Sequence, residues 1–198
     1  MPKITIAIPP AAFELIRERI CEILADEFAG QAIITPAAEV PTVWCERIVP
    51  FDKTGIPALN VMLSNGSFGG QTNRETNGTY TYFIDCYTSA PTTTTGDGFT
   101  SALKKLHYLL NQVRAILESP MYRTLGFAPP FIANRHATSF NIGQPDTKDG
   151  ASIVMGRLTY EVTAPETMEL VQRPLLDGYD TTVRLFNTNL GYKYTTEL

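Results

Sequence analysis

Apolar positions recur at helical spacing in two stretches of the chain. After Pro9-Pro10, Phe13, Ile16, Ile20, Ile23, Leu24 and Phe28 are separated by Glu14, Arg17, Glu18, Glu22 and Asp26, the period of an amphipathic helix. Prolines are tolerated at a first turn, where the missing N–H would have no partner anyway. Gly30 follows the last apolar turn, where a left-handed cap is wanted. The spacing therefore predicts a helix over Ala11 to Ala29. The second stretch is cleaner: Phe99, Ala102, Leu103, Leu106, Leu109, Leu110, Val113, Ile116 and Leu117 form one stripe, so this helix is expected to lie on a sheet. At roughly 1.5–3 kcal/mol per large buried side chain, the stripe contributes on the order of 10–20 kcal/mol before entropy, which marks it as the centre of the core.

Strand signals lie around these helices. Val43 to Phe51 and Ala58 to Leu63 are β-like and separated by the Asp52-Lys53-Thr54-Gly55 turn. Ser64 to Gly78 is crowded with Ser, Asn, Gly and Thr, which bury little apolar surface, so a long flexible hairpin loop or arm is expected. Thr79 to Ser89 alternates, with Tyr80, Tyr82, Ile84 and Cys86 on one face and Thr81, Phe83, Asp85 and Tyr87 on the other. Neither face is wholly polar. Pro120, Gly126 and Pro129-Pro130 end the second helix. Two strands are then expected, Phe131 to Ile142 and Ala151 to Ala164; in the latter Leu158, Tyr160, Val162 and Ala164 mark one buried face. Beyond Pro165 the pattern thins, with a short strand expected at Thr182 to Phe186. The segment still carries Leu175, Leu176, Tyr179, Leu185, Phe186, Tyr192 and Tyr194, too apolar for a free disordered end.

These elements predict an α+β fold: a mostly antiparallel or mixed sheet packed by two amphipathic helices. A domain over 1–164 carries the long hairpin loop, and a C-terminal extension over 165–198 packs on that domain or on a neighbouring subunit. A length of 198 residues suits one core. Only 18% of residues are charged, below the usual quarter or so, which leaves a surface suited to contact. The formal charge of −4 argues against tight nucleic-acid binding, which needs a basic face. The three cysteines, Cys21, Cys45 and Cys86, are odd in number and lack C-x-x-C spacing. They are expected to be reduced, as in a protein that folds in a cytoplasm. The N-terminus shows no apolar run followed by a cleavage site, and no stretch approaches the roughly 18 apolar residues of a span, so neither secretion nor membrane insertion is expected.

Chemistry-bearing constellations are sparse. His107 and His136 fall on different elements, and each reads as a polar flank rather than a catalytic group. Cys86 with His107 is the one thiol–imidazole pairing worth drawing, but Asp85 beside the thiol would raise its pKa rather than lower it. Asp52, Asp85 and Glu161 are the carboxylates available for acid–base work, yet nothing groups them. Gly66-Ser67-Phe68-Gly69-Gly70 resembles a phosphate cradle but lacks the lysine and the following helix. Tyr80, Tyr82, Phe83 and Tyr87 have no interleaved Lys or Arg for base stacking. No catalytic, metal or cofactor site is expected.

The order of elements carries more information than any motif. It runs from the helix Phe13 to Phe28, through the strand at Trp44 and Ile56-Pro57-Ala58-Leu59-Asn60-Val61, to a loop. The Tyr80 to Tyr87 strand, the helix Phe99 to Leu117 and two strands ending in Leu158-Thr-Tyr-Glu-Val-Thr163 follow. Over residues 11 to 164 this resembles the tail terminator (tail completion) proteins of long-tailed bacteriophages, of the minor tail protein U type. The resemblance implies a subunit of the virion tail or neck, assembled in the host cytoplasm as a homohexameric ring. Such a ring caps the tail tube protein, stops its polymerisation and joins it to the head–tail connector protein, while DNA passes the channel without specific binding. Neither a cofactor nor a membrane is involved. The alternatives are another head–tail connector, neck or baseplate subunit and, more distantly, a Cys-dependent hydrolase. Candidate partner or subunit contacts are Phe68 and Arg74 in the loop and Leu175, Leu176 and Phe186 in the extension.

Overall fold

The computed structural model describes residues 7–35, 39–49, 55–69, 75–91, 98–143, 151–167, 178–184 and 191–197. Helix α1 spans Ala12–Ile34 and is followed by β1 (Thr42–Cys45), β2 (Ala58–Phe68) and β3 (Glu75–Pro91). Helix α2 (Gly98–Glu118) leads through a short 3-10 turn, Pro120–Tyr122, to β4 (Asn134–Ile142) and β5 (Ala151–Thr167). Five strands form one mixed sheet in the order β1-β2-β3-β5-β4, with β1 parallel to β2 and the other neighbours antiparallel. The fold is α+β, as the two stripes and the alternating segments predict. Residues 9–168 make one compact unit; a second comprises 1–8 and 169–198. Within the second, β6 (Gly178–Arg184) pairs antiparallel with β7 (Gly191–Glu197).

Both helices cover the same face of the sheet. On β3, Tyr82 donates its hydroxyl to the Phe13 carbonyl of α1 at 2.8 Å, and Thr88, on the same face, donates to the Ala102 carbonyl of α2 at 2.9 Å. Helix α1 lies over β1 and β2, and α2 over β3, β5 and β4. The cross-strand rows beneath them, Val61–Ile84–Leu158 and Leu63–Tyr82–Tyr160, build a continuous apolar floor. Gly156 on β5 makes the close approach of α2 possible: a Cβ there would lie 2.8 Å from Leu110 Cδ1 and 3.3 Å from both Leu106 methyls. On the other face Asp85 is buried beneath Arg157. That guanidinium holds both carboxylate oxygens at 2.6 and 2.8 Å and stacks on Phe83 with its Cζ 4.3 Å from the ring centre.

Several expectations change. Helix α1 runs five residues past Ala29, because an isolated glycine costs a helix only about 1 kcal/mol and Gly30 does not take the left-handed φ of a cap. Among the described residues, the polar stretch after Leu63 is largely strand. β2 continues to Phe68, and β3 begins at Glu75, with Asn65 opposite Thr81 and Phe68 opposite Gly78. Gly66 and Gly78 are packing devices, since a Cβ on Gly78 would collide with the Tyr80 hydroxyl and one on Gly66 would meet the Tyr80 ring at 3.0 Å. The expectation that all three cysteines are reduced is also corrected: Cys21 on α1 is joined to Cys45 on β1 by a disulfide, with Cα atoms 6.4 Å apart. Packing α1 on the edge strand brings together two thiols separated by 24 positions in sequence, which no short spacing could reveal.

Candidate functional site

Cys86 and His107 do not form a dyad. Cys86 is fully buried on the helix-facing side of β3, whereas His107 is exposed on α2. Burial, reinforced by the neighbouring Asp85, pushes the thiol above its ordinary range, so the thiolate needed by a nucleophile is disfavoured. His136 is exposed on β4 opposite Glu161. Asp85 is spent on Arg157. Among the described residues no group of three or more His, Cys, Asp or Glu side chains is placed to hold a metal, and no helix is long and apolar enough to cross a membrane.

Of the candidate contact residues, Phe68 lies at the end of β2, 65% exposed, with its ring edge-on to Tyr80 at 6.3 Å. Arg74, Leu175, Leu176, Phe186 and the acid–base candidate Asp52 lie outside the described residues.

The two edges of the sheet hold features that the sequence pattern did not single out. After β1 the chain leaves the sheet at Glu46, in the left-handed region at φ 52°, and is then clamped. The buried Asn60 side chain accepts from Arg47 N–H and donates to Arg47 C=O, both at 2.9 Å. Arg47 Nε in turn donates to the Val49 carbonyl at 3.1 Å, and its guanidinium lies 4.5 Å from the centre of the Trp44 ring. This clamp presents Ile48, 95% exposed, and Val49, 66% exposed. The sequence pattern places both residues in a strand running to Phe51. Only the tertiary pairing of Asn60 shows that the strand stops at Cys45.

At the opposite edge, β4 and the flank of α2 enclose a groove of about 260 Å³, floored by Leu110 and Leu158 and walled by His107, Asn111, Arg114 and Phe140. Phe140 is 66% exposed. Further along the same edge, Arg135 on β4 closes the end of α2: its guanidinium donates to the carbonyls of Leu117, Ser119 (2.8 Å) and Arg123 (3.1 Å). A cation on the last carbonyls also suits the helix dipole. The helices differ in sign. Helix α1 carries five carboxylates against two guanidinium groups, while α2 carries Lys104, Lys105 and Arg114 against Glu118 alone.

No protein-family model and no curated protein matches this chain. Among solved structures, one similar chain aligns over 76% of this chain and 94% of its own, at 18% identity and a TM-score of 0.39. Likeness at that level carries no argument about function.

Proposed function

We propose that this chain is a structural virion protein, a ring-forming tail terminator that caps the phage tail tube, stops its growth and joins it to the head connector. The observation that carries the reading is the element order. Helix, short edge strand, hairpin, long helix and two closing strands follow one another as in the family that the sequence resembles, with the last strand inserted beside β3. Two further features support it. A subunit that joins its copies head to tail needs two different patches, and growth stops at a fixed count when the rotation closes; here the two edges of the sheet differ in length, charge and shape. A formal charge of −4 also suits a channel past which DNA slides, since like charges repel.

The proposal is tested by mixing the protein with polymerising tail-tube subunits and measuring tube length by electron microscopy. A terminator produces capped tubes that no longer extend when fresh subunits are added. Unlimited growth would reject the terminator role in favour of another connector, neck or baseplate position. The hydrolase alternative makes a separate forecast, that Cys86→Ala abolishes a measurable turnover, and the burial of that thiol weighs against it.

A further inference from the structure

We propose that successive copies of this chain join through the Ile48–Val49 strip of one copy seated in the α2–β4 groove of the next. This rests on the ring reading and names its interface. The first argument is preorganisation. Ile48 and Val49 stand side by side, 95% and 66% exposed, directly after a residue whose backbone is clamped. Asn60 is itself buried, yet both ends of its amide are committed to the Arg47 backbone. Fixing the strip before binding lowers the ordering cost of association, so the clamp makes sense if the strip enters a partner.

The second argument is complementarity. The groove offers an apolar floor in Leu110 and Leu158 and an aromatic wall in Phe140, within about 260 Å³, room for one branched aliphatic side chain. Charge leans the same way. Helix α1, which packs on β1, carries five carboxylates against two guanidinium groups, and Glu46 stands two residues before Ile48, whereas α2 brings Arg114 to the groove rim and Lys104 one turn before His107. Arg17 and Arg47 on the strip side and Glu118, paired with Arg114, on the groove side offset part of this difference. The third argument is placement. β1 and β4 are the two ends of the sheet order, so strip and groove sit on opposite sides of one domain. Neither can satisfy the other within a chain, and both are used when copies follow one another around a circle.

Two substitutions at exposed positions test this. Ile48→Asp breaks the strip and Asn111→Trp fills the groove, and thermal unfolding shows whether each still folds like the wild type. By sedimentation velocity, each alone is expected to weaken self-association roughly tenfold to a hundredfold, the value of one buried aliphatic side chain. Mixed in equal amounts, the two variants keep one good strip and one good groove between them, so they should form one-to-one pairs that grow no further. Met121→Asp, at an 83% exposed apolar position that belongs neither to the strip nor to the groove lining, should assemble like the wild type. If Ile48→Asp and Asn111→Trp both assemble normally, or their mixture gives no pairs, this interface is wrong while the ring reading stands. A wild-type protein that stays single both in solution and on tube ends would overturn both.

Discussion

The two helices hold the sheet by different means. Helix α2 is fixed by apolar packing: Ala102, Leu106, Val113 and Leu117 are fully buried, and Gly156 removes the obstacle to close approach. Helix α1 also buries Ile16, Ile20, Ile23 and Leu24, but it is tied down by specific links in addition. These are the Cys21–Cys45 disulfide and the ion pair of Arg17 with Glu46 at 2.6 Å; hydrogen bonds from the sheet reach both helices, from Tyr82 to Phe13 of α1 and from Thr88 and Arg135 to Ala102 and Leu117 of α2. The half that carries α2 and the long β3–β5 pairing is the body of the domain. The half that carries α1 and the four-residue β1 is a border stapled to it, and that border presents the apolar strip.

The contrast can be broken by substitution. Leu106→Ala, in the centre of the α2 stripe, should cost about 2–5 kcal/mol and lower the whole unfolding transition in urea. Replacing Cys21 and Cys45 by Ser should cost about 2–4 kcal/mol. Native-state hydrogen exchange should then show the loss in α1 and β1 ahead of β3 and β5. A disulfide loss that destabilised every strand equally would contradict the border picture. Gly156→Ala should cost about 1–3 kcal/mol by overpacking against Leu106 and Leu110, measured in the same urea titration.

The smallest effect expected is a pH dependence. Burial raises the hydroxyls of Tyr82 and Tyr160 above their ordinary value of 10.0. Above pH 10 the unfolded chain therefore gives up phenolic protons that the folded chain keeps. Stability from these groups is fully present below that pH and declines as pH rises further. Urea midpoints measured from pH 9 to pH 11 should fall in the upper part of that range, and Tyr82→Phe should flatten the fall.

The same contrast explains what could be read from the sequence. The α2 stripe and the Leu158-to-Ala164 alternation express burial against a single surface, and periodicity reports that directly. The glycines of the β2–β3 ribbon misled because their reason is the Tyr80 ring lying over them, a contact between positions up to 14 apart. The disulfide and the Asn60 clamp were invisible for a related cause: each joins segments whose nearness depends on β1 pairing parallel to β2. The groove depends on β4 pairing with β5 beneath α2. Contact residues chosen from composition alone therefore fell on the loop and the extension, while the two structured edges went unmarked.

Self-association is the claim on which the functional account stands, and the mass of the purified wild-type protein across a wide concentration range tests it most directly. Multi-angle light scattering should show one discrete oligomer that persists on dilution and appears in micrographs as closed rings. A single-chain mass at every concentration, unchanged when tail tubes are supplied as a template, would contradict the account.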